Sequence, residues 1–422
     1  ITTLIGGHFL TYIIGAQYAW GNLSIYILSY YRALEYETNL GDVYILLPIC
    51  IMTQTCVNPI GMYIVSIFGP KVTILIGGGI CIASTFAASI AGDPATFIFF
   101  FGFCYGIGSG FILPTCLFSS WSYLGETAHG FVTGLTLAGV GIGAFISSIF
   151  FSYTVNRVNE PSFFAEISPG VYEKYFDYTV AANAMECLRM LGLIFLVIVV
   201  FGFFMISAIL EEPEKWDQVK EEEDQELKQQ LLEEKIKYDY EPDPNRVEEL
   251  RYDFMEKEAE YFVPTWKLLL SWEFWKCLLI CYFQYFYGIY MIISYKQLGM
   301  FTISNDVVLM ASGGAGLLLN GLFRLAWPNL MDACSFKCVN IPIVILQIVL
   351  SLTIPYLASN MYAYFAAVVL SIITEGATTS LLPNLSMKIF GARKGPAVYS
   401  FMQFGIGLSA MTSALLVAML MY

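Results

Sequence analysis

The 422-residue chain is 57% hydrophobic, 16% aromatic and only 13% charged, which is too apolar for a soluble globular protein. Its formal charge of −13 is local: Glu211 to Glu260 carries 20 acids and 8 bases, a net of −12, so the rest is close to neutral. That balance excludes nucleic acid as a partner, and repeated apolar runs of about eighteen residues or more make the lipid bilayer the solvent.

In chain order the hydropathy pattern predicts eleven spans, at 4–29, 43–66, 71–91, 95–119, 130–154, 187–210, 274–297, 305–328, 339–358, 361–386 and 396–421. Connectors are short apart from a polar, proline-containing loop at 156–186 and the acidic linker at 211–272. The chain thus divides into an N-terminal six-helix bundle (1–210), an acidic, partly helical cytoplasmic linker (211–272) and a C-terminal bundle of five spans (273–422). A six-plus-six transporter of two helical halves is the matching template. Its twelfth span is missing from this sequence, which leaves open a chain that continues beyond Tyr422 or an incomplete bundle.

Lysine and arginine placement sets the orientation. Fourteen lie on the side of the N-terminus and linker against five on the other, which puts the linker side in the cytoplasm. Within the linker, Glu221–Asp239 is a charged helical candidate broken by Pro242 and Pro244. Asn245 with Glu248 reads as a capping box opening a second helix, striped by Val247, Leu250 and Phe254. A solvated helix pair and a docking surface both fit this pattern. The linker, or a face left open in the five-span bundle, is where a protein partner would dock.

Glycine recurs at helical spacing. Gly102, Gly106 and Gly110 share a face of the fourth span; Gly130, Gly134 and Ala138 line one face of the fifth, and Gly139, Gly143 and Ser147 another. Small residues let backbones approach closely in lipid, for packing, for sliding, or for both. The ten cysteines lie mostly within apolar spans with no histidine beside them, so they read as small core residues.

The eighth span places Arg324 inside apparent hydrocarbon, where a fixed charge costs at least about 2.5–3.5 kcal/mol. An arginine kept there faces a wet cavity and holds an anion, or pairs with Asp332 or Glu375, or snorkels to the surface. Glu375 sits midway along the tenth span, fit for proton carriage, for pairing with Arg324, or for staying a quiet protonated acid. Tyr18, Asn22, Asn320 and Gln403, with Gln17, Gln54, Tyr105 and Tyr399, are polar groups at cavity depth. His8 reads more as a satisfied interior histidine than as a relay. No nucleophile–base set, phosphate loop or metal cluster points to an enzyme, and no cofactor is called for.

Several stretches together resemble one family. They are Tyr18-Ala19-Trp20-Gly21, Phe68-Gly69-Pro70-Lys71 with Ile76-Gly77-Gly78, and Gly106-x-Gly108-x-Gly110-x-x-x-Pro114. Gly134 to Gly141, Phe274-Trp275, Asn320-Gly321 through Asp332, Leu382-Pro383 and Phe390-Gly391 complete the series. In order and spacing they are similar to the major facilitator superfamily, in its oxalate/formate antiporter and monocarboxylate transporter-like branch. That resemblance implies an all-α, two-bundle membrane fold. It also implies transport of small organic anions by alternating access, with Arg324 binding the substrate carboxylate. The chain departs from the pattern at Ser66-Ile67, where Asp-Arg is usual, and at Ala333, where arginine is usual. Gln403, Phe404 and Ile406 stand near the position of a second lysine, and Asn22 replaces a first-span lysine. One cavity cation argues against a dicarboxylate and against lysine-based proton coupling. The same departures motivate an alternative: a non-transporting, transporter-derived structural subunit of a larger membrane assembly.

Overall fold

The computed structural model describes residues 1–36, 38, 40–123, 129–158, 160–168, 171–208, 265–300, 302–303 and 305–421. Ile1–Ala208 and Trp272–Tyr422 form one compact unit, and Ile209–Ser271 another. The expected linker helices and capping box at 221–254 lie outside the described residues.

The first unit opens with α1 (Thr2–Tyr18), α2 (Trp20–Ala33), α3 (Leu40–Tyr44) and α4 (Leu46–Ala88). It continues with α5 (Pro94–Ile98), a π-helical turn (Phe99–Cys104), α6 (Tyr105–Trp121) and α7 (His129–Val155). A hairpin of β1 (Phe163–Ser168) and β2 (Val171–Tyr175) leads to α8 (Tyr178–Ala181) and α9 (Asn183–Met205). The short α10 (Thr265–Leu269) belongs to the second unit. The last five long helices are α11 (Trp272–Met300), α12 (Asp306–Ala333), α13 (Phe336–Leu357), α14 (Met361–Met402) and α15 (Phe404–Met421).

Among the described residues, nine helical stretches are long and apolar enough to cross a membrane. Eleven were expected, and the difference has two local causes. The first span breaks at Ala19 into α1 and α2, each shorter than a crossing. The second and third run together as α4, interrupted at Gly69 with φ 78° and ψ 171°. Only glycine enters that region without strain.

Gly69 nevertheless folds α4 back on itself. Gly61, eight residues before it, lies against Gly110 and Pro114 of α6, while Gly77, eight residues after, lies against Gly108 and Phe111. Two points equidistant from Gly69 thus meet α6 at one height, as antiparallel arms do. Gly391 (φ 77°, ψ 158°) does the same in α14. There Ser386 Oγ donates to the Gly395 carbonyl at 2.8 Å, closing the turn.

The two small faces of α7 separate as their spacing predicts. Gly139 and Gly143 lie against His8 and Tyr12 of α1, and Gly134 and Gly141 against Arg324 and Gly321 of α12. Helix α7 therefore joins a helix of its own half to one of the other half.

Residues 156–186, expected as a loop, contain the antiparallel β1–β2 pair, with Phe163 opposite Tyr175. The Arg32 guanidinium lies 4.4 Å from the Tyr175 ring centre, and the Phe176 N–H donates to Ser29 Oγ at 3.0 Å. Cation–π attraction and one backbone bond pin the hairpin to α2.

Helix α14 starts at Asn360, whose side-chain oxygen accepts from the N–H groups of Tyr362 and Ala363 at 3.0 and 3.2 Å. Asn360→Ala leaves those first-turn donors without their cap. We expect it to destabilise the fold by about 1 kcal/mol, read as a lower melting temperature with transport per folded molecule unchanged.

Candidate substrate site

Arg324 and Glu375 are the only charged side chains buried among the described residues, 3% and 1% exposed. Helix α12 presents Arg324 and, one turn earlier, Asn320; α14 presents Glu375 opposite them. Arg324 Nη2 lies 3.3 Å from Glu375 Oε2, and Arg324 Nε donates to Asn320 Oδ1 at 2.9 Å. The Asn320 amide nitrogen spends both hydrogens across the interface, on Glu375 Oε2 at 2.7 Å and the Ile372 carbonyl at 2.5 Å. Asn320 is therefore the brace that orients guanidinium and carboxylate together. Glu375 Oε1 is buried without a hydrogen-bond partner among the described residues.

This arrangement decides between the readings of Arg324. It does not snorkel, and it does not pair with Asp332. Asp332 instead meets Lys388 Nζ at 3.0 Å, with both side chains partly exposed. The Asp332 carboxylate also lies close against Gly130, in the first turn of α7, where a helix N-terminus favours negative charge.

Tyrosines complete the surroundings. The Tyr18 and Tyr285 hydroxyls are 3.1 Å apart, and both feel the charges of Arg324 and Glu375. Tyr399 lies within electrostatic reach of Arg324 and Tyr18, and donates to the Thr379 carbonyl at 3.3 Å. Tyr18 is the last residue of α1, just before the break at Ala19, and its hydroxyl meets that of Tyr285. Gly288 of α11 lies directly against the Glu375 side chain, with no room for a Cβ.

The other residues singled out from the sequence lie further from the pair. Asn22 bonds to Ser148 of α7 and borders a narrow cleft with Tyr18, Tyr295 and Leu317. Gln403 meets Asn58 across the halves. Gln17 donates to Gln54 at 2.8 Å and accepts from Cys50, while Tyr105 bonds to the Ile13 carbonyl. His8 is satisfied at both nitrogens, by the Leu135 carbonyl at 2.7 Å and the Tyr12 hydroxyl at 3.1 Å.

A wet hollow over Arg324 was the sequence expectation, and the structure differs. The cleft beside Tyr18 and Asn22 offers only about 10 Å³, room for no more than a water molecule. A hollow of about 590 Å³ does exist, but away from the pair, between α11, α13, α14 and α15. It is lined by Phe286, Tyr290, Ile354 and Leu416, among others, and holds no charged group. The halves are shut on the side where α12 ends: Trp121 donates to Thr133 at 2.8 Å, and Thr133 to Asn384 at 2.9 Å. On that side the halves are closed, and an internal carboxylate sits on the arginine.

Two helical halves meet around a buried Arg324–Glu375 pair in a fold built of membrane-length helices. The chain belongs to the Major Facilitator Superfamily, whose profile matches residues 9–414. It is an integral, multi-pass membrane protein of a transporter family rather than an enzyme. It is 22% identical over 465 aligned positions to apicoplast pyruvate carrier 1 of Toxoplasma gondii, covering 97% of this chain and 81% of that one. Among solved structures it is similar to the proton:xylose symporter XylE bound to 6-bromo-6-deoxy-D-glucose. The TM-score is 0.67 at 10% identity, over 99% of this chain and 88% of that one. The partially occluded inward-open form of XylE from E. coli gives 0.56 at 11% identity, over 99% of both chains. At such identities the structural likeness establishes the fold.

Proposed function

We propose that this chain carries small monocarboxylates, of which pyruvate is the first to test, by alternating access with Arg324 as the carboxylate anchor. The observation that carries this reading is the buried Arg324–Glu375 pair. Its guanidinium already holds one carboxylate, which is the chemistry required to hold another. A planar guanidinium offers paired donors to a carboxylate and stays charged when desolvated. Tyr18 and Tyr285 supply hydroxyls beside it, suited to an oxo or hydroxyl oxygen next to the acid group. Likeness to a named pyruvate carrier over nearly the whole chain supports the same substrate class, as do the stretches shared with the oxalate/formate and monocarboxylate-like branch.

The test is uptake by proteoliposomes holding the full chain. Labelled pyruvate is expected to enter in a saturable way, with unlabelled pyruvate and lactate competing and xylose without effect. Absence of any carboxylate uptake, with the chain purifying instead in a fixed stoichiometry with other membrane proteins, would favour the structural-subunit reading.

A further inference from the structure

We propose that the non-acid end of the substrate sits in an apolar collar of Ile292, Leu317 and Ile372, which restricts the carrier to acids with a short, unbranched, uncharged tail. This rests on the carboxylate-carrier reading above and deepens it. The collar lies beside the charged pair, on the side where α12 begins. A helical side chain leans toward the start of its helix, and Arg324 does so: its Nε donates to Asn320 Oδ1, one turn back. The guanidinium therefore sits near the height of Asn320, and Leu317 follows about 4.5 Å further along α12, at about 1.5 Å per residue.

Two other helices put aliphatic side chains at the same level. Ile372 of α14 stands one turn before Glu375, and its carbonyl accepts from the Asn320 amide at 2.5 Å. Gly288 of α11 lies against Glu375, and Ile292 is one turn on from it. With Tyr18 and Ala19, the three aliphatic residues line the narrow cleft next to the pair, and all three are buried. Ile372 is also wedged against Gly316, where a Cβ would fall 2.7 Å from its Cδ1, so it has no space to retreat toward α12. A turn beyond, the Tyr295 hydroxyl presses on Gly313, while the Tyr295 carbonyl accepts from the Tyr364 hydroxyl at 2.5 Å. That contact caps the cleft.

A carboxylate on Arg324, with its oxo oxygen toward Tyr18 and Tyr285, turns its remaining carbon substituent to the collar. Spare room in the cleft is about 10 Å³, enough for one water-sized group, and a methyl is of that size. Longer or branched tails would overpack side chains that are held from behind. A second carboxylate is worse placed, because no charged group lines the cleft and a buried, unpaired charge is strongly disfavoured. Sugar hydroxyls meet the same obstacle, since the amide lining the cleft, that of Asn22, is already bonded to Ser148.

The experiment measures kcat/KM for uptake of labelled pyruvate, α-ketobutyrate, α-ketoisocaproate and oxaloacetate by the full chain in proteoliposomes. The parent is expected to take the first two and to reject the branched acid and the diacid by at least about tenfold. Leu317→Ala opens the α12 side of the collar. It should raise α-ketoisocaproate relative to pyruvate by at least about tenfold, with oxaloacetate still rejected. Ile292→Val is a smaller cut that decides the matter should Leu317→Ala fail to fold, and it should move the same ratio in the same direction. Leu416→Ala removes the same atoms from the hollow between α11, α13, α14 and α15, and should leave the ratio at the parent value. Three results would each overturn the collar while leaving the carrier reading standing. They are a parent that takes α-ketoisocaproate or oxaloacetate as readily as pyruvate, folded collar variants whose ratio does not move, and a Leu416→Ala ratio that rises as far as theirs. No carboxylate uptake by the parent removes both.

Discussion

Replacing Arg324 by alanine should abolish carboxylate uptake. Truncating one partner of a buried, hydrogen-bonded charge pair costs about 2–5 kcal/mol, a loss of roughly 30-fold to several thousand-fold at about 1.4 kcal/mol per decade. Arg324→Lys keeps the charge but replaces the planar fork by a point donor. It should retain measurable uptake with a raised KM. The change also strikes stability, because Glu375 would be left alone in the interior. The double variant Arg324→Leu/Glu375→Leu removes both charges and is expected to recover thermal stability without recovering uptake. That split separates a collapsed fold from a lost anchor. Equal uptake by Arg324→Ala and parent would refute the anchor role.

The second large effect is expected at Gly141. A Cβ there would lie 2.4 Å from the backbone N and Cα of Gly321. Backbone cannot yield as a flexible side chain does, so α7 and α12 must part. Overpacking of this kind costs about 1–3 kcal/mol. The contact joins the two halves one turn from Arg324, where α7 and α12 meet. Gly141→Ala should therefore lower both melting temperature and transport, the latter by about tenfold or more. Gly314→Ala is the control on α12, since its Cβ would meet only Phe145 at 4.0 Å. If Gly141→Ala transports like Gly314→Ala, the α7–α12 contact does not govern the cycle.

Much of this architecture could be read from residue order. Apolar runs located the spans, because in lipid the backbone must satisfy itself and a helix of set length is the solution. Gly130, Gly134 and Ala138 announced one packing face of α7, and Gly139 with Gly143 the other. Arg324 and Glu375 stood out because charge is expensive in hydrocarbon. Their partnership was one reading among several, since the residues are separated by more than one span and only the fold sets their distance.

Asn320 was legible as polar, but its role as brace depends on α14 bringing Ile372 and Glu375 within reach. Tyr285 was hidden in the aromatic run from Tyr282 to Tyr290, where one hydroxyl looks like another. Asn22 and Gln403 were expected beside the substrate arginine and instead bond to Ser148 and Asn58. Helical period assigns a face; it does not say which neighbour that face meets. The hairpin had a turn signal in Ser168-Pro169-Gly170, set in a stretch whose proline and charges read as loop.

The exchange of partners at Arg324 can be observed directly. Solid-state NMR on the protein in bilayers, with guanidinium nitrogen labelled in arginine and carbon-13 at the pyruvate carboxyl, measures the dipolar coupling between them. We expect a carbon–nitrogen distance of about 4 Å or less, lost on replacing Arg324 by leucine. A bound pyruvate whose carboxyl shows no coupling to any arginine, with Glu375 still on Arg324, would contradict the account.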